Sequence, residues 1–127
     1  VLATKAAIED GILSGGGVAL RDIADVISNN STLPGSSAEI SKSILSRAMR
    51  EPCSQIMRNS EKTEKQIQEM NESAKIGFGY DAKNDKIVNM IEAGIIDPAK
   101  VTKSSLKNAI SVAATIMNTS AIITDAK

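Results

Sequence analysis

Histidine and tryptophan are absent from this chain, cysteine occurs once, and the only aromatic residues are Phe78 and Tyr80. With no histidine and the single thiol of Cys53, the chain alone cannot assemble a zinc site or a Ser-His or Cys-His nucleophile. A lone cysteine makes no internal disulfide and gives no sign of an oxidising compartment. So few rings provide no stacking platform for single-stranded nucleic acid. Fifteen basic and fifteen acidic residues cancel, so no broad field draws in nucleic acid or an anionic membrane. No apolar run is long enough to span a bilayer. The start, Val1-Leu2-Ala3-Thr4, has neither an initiating methionine nor a signal-peptide layout, and the sequence reads as beginning inside a longer protein.

What is present is helical patterning on a scale of 127 residues, enough for one domain with a modest core. Val1, Leu2, Ala6, Ile8, Ile12 and Leu13 stand at near-helical spacing, as at the end of a helix. Gly15-Gly16-Gly17 breaks that helix, and Leu20, Ile23, Ala24 and Ile27 form the apolar stripe of the next. After the loop Ser28–Gly35, Ser36-Ser37-Ala38-Glu39 fits a capping box. It opens a long helix whose expected buried side is Ile40, Ile44, Leu45, Ala48, Met49, Cys53, Ile56 and Met57, with a kink at Pro52. Thr63-Glu64-Lys65-Gln66 is a second capping box, starting a short helix to about Met70. Glu61, Lys62, Glu64, Lys65 and Glu69 read as a solvated face. Cys53 and the methionines read as core.

Ile76–Asp81 changes to strand patterning, and Lys83-Asn84-Asp85 is turn chemistry, which predicts a small hairpin. In Asn89–Val101 a short helix ends at Gly94, which suits a left-handed conformation, and a long helix begins with Asp97 as N-cap and Pro98 in its first position. Leu106, Ala109, Ile110, Ala113, Ile116 and Met117 carry the clearest helical stripe. Ala121-Ile122-Ile123-Thr124 reads as a terminal strand.

Taken alone, the triple glycine is better explained by tight helix packing than as a phosphate cradle, because no Gly-Lys-Ser/Thr ending or preceding strand accompanies it. Asp97 before Pro98 is likewise a common capping device. Three separated motifs in order alter that balance: Gly15-Gly16-Gly17-Val18-Ala19-Leu20, Gly79-Tyr80-Asp81-Ala82, and Gly94-Ile95-Ile96-Asp97-Pro98-Ala99-Lys100-Val101-Thr102. Together they resemble the C-terminal part of a group I chaperonin, the GroEL family. The likeness runs over nearly the whole chain and weakens between about Asp25 and Glu39 and between Ser60 and Lys75.

The resemblance implies a mainly α fold: a multi-helical piece of the chaperonin equatorial domain, one incomplete domain over residues 1–127, with a small β-hairpin and a C-terminal β-strand. It implies ATP as cofactor. Gly16 would lie against the nucleotide near the ribose, Asp97 would accept from the ribose hydroxyls, Asp81-Ala82-Lys83 would run beside the adenine, and Ile95 would supply an apolar wall. Commoner family members have asparagine and a small residue where this chain has Asp81 and Lys83. An aspartate can still accept from the adenine amino group.

The phosphate loop, the magnesium ligand and the catalytic aspartate of the family belong to segments expected upstream of Val1, so no catalytic residue is assigned here and this half alone is expected to be inactive. Implied partners are sister subunits of a homo-oligomeric double ring, a co-chaperonin, and unfolded client proteins reached through other domains. Nucleic acid and membranes are not among them. Apolar faces lacking their other half are expected to self-associate. Bacterial cytoplasm, mitochondrial matrix and plastid stroma all host the family. The competing reading is a nucleotide-independent helical interaction module, in which Asp97 only caps a helix and Gly16 only packs. An enzyme using paired carboxylates is unsupported, because no two acidic residues are forced together in an apolar setting.

Overall fold

The structure, a computed structural model, describes residues 8–125, with side chains as far as residue 119. The helix expected at the start of the chain is seen over residues 8–10, and residues 1–7 lie outside the described residues; Ile12 and Leu13, expected to close that helix, instead belong to a strand that leads directly into the triple glycine. Then follow β1 (Ile12–Ser14), α1 (Val18–Asn29), α2 (Ser37–Asn59), α3 (Glu64–Ser73), β2 (Phe78–Asp81), β3 (Lys86–Asn89), β4 (Ile96–Pro98) and α4 (Ala99–Asp125). The fold is mainly α, as expected. Two compact units are present, Leu13–Ile96 and a second formed by the two ends of the chain. β1 and β4 form a two-stranded sheet.

Both capping signals form. Ser36 Oγ accepts from the Glu39 N–H at 3.2 Å, and the Glu39 carboxylate accepts from the Gly35 N–H, one residue before the cap. At α3 the box is reciprocal: Thr63 Oγ1 accepts from Gln66 N at 3.2 Å, and Gln66 Oε1 accepts from Thr63 N at 2.9 Å. The bonds to Ser36 Oγ and Thr63 Oγ1 satisfy donors that the first helical turn leaves unpaired, and the Glu39 and Gln66 side chains hold the backbone leading into it. α2 continues without a break through Pro52.

The core of the larger unit is Val18, Cys53, Met57, Ile67, Tyr80 and Met90, with Ile56, Met70, Val88 and Ile95 packed against it. Several burial expectations are corrected. On α1 the buried face is Val18, Arg21 and Ala24, while Ile23 is 42 % exposed. The face is turned because Arg21 lies inside, donating through Nη2 to Phe78 O at 2.5 Å and to Asp22 Oδ1 at 3.0 Å. A buried charge requires such partners. On α2 the buried run is Ser46, Met49, Cys53, Ser54 and Met57; Ile40, Ile44 and Ala48 are exposed, because packing is concentrated toward the helix's C-terminal half.

The smaller unit holds two further differences. α4 starts at Ala99, one residue later than the Asp-Pro signal implies, because the Ala99 N–H donates to Gly11 O at 3.0 Å and Ile96–Pro98 is extended. Asp97 is therefore an exposed strand residue rather than the N-cap. The expected terminal strand at Ala121–Thr124 is instead the last part of α4, where i to i−4 bonding satisfies the backbone that an unpaired strand would leave open. Along the predicted stripe of this helix Ile110, Ile116 and Met117 are exposed, so here the pattern does not mark core.

Candidate functional site

The hairpin is built from the inside outward. β2 and β3 pair antiparallel, with Tyr80 opposite Ile87 and Asp81 opposite Lys86. Asp81, at the end of β2, is buried. Its Oδ1 accepts from Lys83 N at 3.0 Å and Asn84 N at 3.3 Å, and its Oδ2 accepts from Asn84 Nδ2 at 2.7 Å. An aspartate at this position closes the turn by accepting from backbone two and three residues on. The Asn84 amide, foremost among these donors, holds the Asp81 carboxyl below its ordinary range, so it is ionised. Ala82 and Lys83 are exposed at the tip.

The far side of the turn is pinned by three residues, Lys62, Tyr80 and Asp85, whose association the sequence does not announce. Tyr80 donates to Asp85 Oδ1 at 2.7 Å, and Lys62 Nζ reaches the same oxygen at 2.8 Å while lying 5.6 Å from the Tyr80 ring centroid. Lys62 is thus half-buried against the hairpin, not on the solvated face expected for it. The bond to Lys62, then that from Tyr80, lowers the Asp85 carboxyl, and the bond to Asp85 raises the Tyr80 phenol. A chain with only one tyrosine offers the nearest thing to a signal for this cluster.

The triple glycine forms a bend in which Gly16 and Gly17 take positive φ, 64° and 76°. The two glycines answer to different neighbours. A Cβ on Gly17 would come 2.5 Å from Cys53 N and 2.8 Å from Cys53 Cα, which is backbone and cannot move aside. That is the tight helix packing expected of the motif. A Cβ on the half-buried Gly16 would come 2.8 Å from Met90 Cε, the movable end of a side chain. Gly15 N donates to Ile95 O at 2.8 Å, tying the bend to the segment after β3.

That segment is one tight turn rather than the short helix expected. Gly94, at φ 77°, is preceded by an Ala93 N–H to Asn89 O bond of 2.9 Å. Ile95 N to Met90 O at 2.9 Å and Gly94 N to Ile91 O at 3.1 Å complete a Schellman pair. Ile95, half-buried, packs against the core beside it.

Within the larger unit, then, Gly16, the root of the hairpin and Ile95 meet around Met90, and Asp81, Ala82 and Lys83 lie along the turn that the root supports. Asp97 belongs to the smaller unit. Cys53 is 2 % exposed, and burial pushes its thiol up against the opposing effect of the nearby Arg21 guanidinium. Among the described residues no three acidic or thiol groups converge as metal ligands. The described helices include none long and apolar enough to cross a membrane. The larger unit thus brings together the left-handed bend at Gly16 and Gly17, the half-buried Ile95 and the exposed tip residues Ala82 and Lys83.

One comparison bears on what such an arrangement serves. The TCP-1/cpn60 chaperonin family matches residues 1–127, the full sequence. Its members are chaperonins, which act in protein folding, generally as oligomeric rings that bind client proteins. With the whole of its sequence matched, this chain belongs to the TCP-1/cpn60 chaperonin family.

Proposed function

We propose that the chain is part of an ATP-dependent chaperonin of the group I type and supplies the ribose and adenine side of its nucleotide site, together with helices for ring contacts. The observation that carries this reading is the meeting of the Gly16 bend, the root of the hairpin and Ile95 around one buried residue, Met90. Of these, the hairpin root and Ile95 are bonded to Met90 through their own turns, whereas the Gly16 bend is remote in sequence and its approach to Met90 follows from neither turn.

In this reading the backbone at Gly16 faces the ribose, the exposed Ala82 and Lys83 run beside the base, and Ile95 provides an apolar edge. The Asp81 carboxylate already accepts three bonds within the turn, so the backbone of Asp81–Lys83 takes the larger share of base contact. Asp97, exposed and extended, is proposed on resemblance to accept from the ribose hydroxyls. Its freedom from capping leaves the carboxylate available for that. Phosphate and magnesium are assigned to other segments of the family's domain, since nothing in the larger unit presents a cationic glycine-rich loop.

Calorimetric titration of ATP into the full-length protein tests the proposal. Asp97→Ala is expected to weaken ATP binding well beyond any loss of stability. An Asp97→Ala protein that binds ATP as before, with only its melting temperature lowered, would favour the nucleotide-independent interaction module.

A further inference from the structure

Met90 has no exposed surface, so no ligand can touch it, yet every element of the proposed nucleoside wall within the larger unit is attached to it. Its N–H donates to Gly77 O at 3.0 Å, just before β2, and its carbonyl accepts from Ile95 N at 2.9 Å. With the backbone clamped at both ends, the direction of the side chain is set. Its sulfur lies 3.5 Å from where a Gly79 Cβ would stand, and its terminal methyl lies 2.8 Å from where a Gly16 Cβ would stand. An unbranched thioether is suited to filling an irregular gap of this kind.

We infer that Met90 is a positioning residue for the nucleoside wall: its side chain props the Gly16 bend at a fixed distance from the hairpin root and from Ile95, and so governs nucleoside affinity without contacting the nucleoside. The inference rests on the site reading given above. Gly16 has no side chain of its own to hold the bend, and glycine backbone is unusually free to move. Removing the prop leaves a cavity into which the bend can sink, which misplaces the backbone facing the ribose. The effect is confined to the nucleoside end, so ATP and ADP should suffer alike.

The test uses the full-length protein with Met90→Ala, Met90→Leu, Gly16→Ala and the Gly16→Ala/Met90→Leu pair, each checked for folding by circular dichroism and titrated with ATP and with ADP. Met90→Ala is expected to weaken both nucleotides by the same factor, about three- to thirtyfold, the range for substitutions acting on a site through a neighbour. Leucine conserves volume and is expected to fold, so it decides the matter if the alanine variant does not. Lacking the terminal methyl, it should relieve Gly16→Ala, whose affinity loss becomes smaller in the Met90→Leu background than alone. A purely structural role would lower stability and leave the two substitutions additive in binding. Unchanged affinity in folded Met90 variants, a loss that differs between ATP and ADP, or strict additivity overturns the inference. Absence of ATP binding by the unsubstituted protein would instead overturn the site reading on which it rests.

Discussion

The Tyr80 hydroxyl donates to Asp85 Oδ1 at 2.7 Å, spanning the hairpin turn from the strand that enters it to the last turn residue. Asp85 holds a left-handed backbone conformation, φ 51°, which aspartate tolerates better than most residues. Tyr80→Phe should therefore cost about 1 kcal/mol, the usual net worth of one hydrogen bond. A lower urea midpoint at unchanged slope would register this. No shift in midpoint would mean the bond contributes nothing to the hairpin.

Acid should act through the same turn. The carboxyls of Asp81 and Asp85 are held below their ordinary range, the first chiefly by the Asn84 amide and the second chiefly by Lys62. In the unfolded chain they titrate near about 3.9. Between the unfolded and the lower folded values the unfolded state binds more protons, so the stability contribution is complete above the unfolded value and is lost as pH falls through the folded one. Unfolding midpoints should hold steady from neutral pH down to about pH 5 and then decline. Asp81→Asn should flatten the decline; an identical acid profile for that variant would remove Asp81 from the account.

Two glycines with nearly equal φ should respond very differently to alanine. At Gly94 a Cβ meets only open space, leaving the left-handed penalty of about 1–2 kcal/mol. At Gly17 the same penalty is joined by collision with the Cys53 and Pro52 backbone, bringing the total to about 3 kcal/mol or more. Thermal unfolding of the two variants gives the comparison, and equal losses would mean that α2 can draw away from the bend.

Cys53 should be inert in the folded protein. It is buried, and its thiol is pushed up by that burial, whereas reactive cysteines are exposed and ionise easily. Thiol titration is expected to show no rapid reaction under native conditions and one equivalent after denaturation. Fast labelling of the native protein would show that the contacts between α1 and α2 open readily.

Features fixed by bonds between close neighbours were legible in the sequence. The caps at Ser36 and Thr63, the turn at Lys83-Asn84-Asp85 and the left-handed Gly94 all depend on partners within a few residues, so residue type and spacing were enough. Arg21 was not legible, because the carbonyl that makes its burial tolerable is Phe78, 57 residues away. The start of α4 was not legible for a similar reason: the acceptor for Ala99 is Gly11, just ahead of a strand that nothing local announces. In the candidate site Gly16 and Ile95 were recognisable as motif positions, but the place of Met90 between them emerges only when the elements are assembled.

A Cβ at Gly79 would overlap the Val18 side chain, which is itself wholly enclosed. These two positions cannot drift independently during divergence. A descendant that acquires alanine in the strand needs a smaller neighbour at the head of α1, and of the two mutational orders one passes through a collision and the other through a cavity.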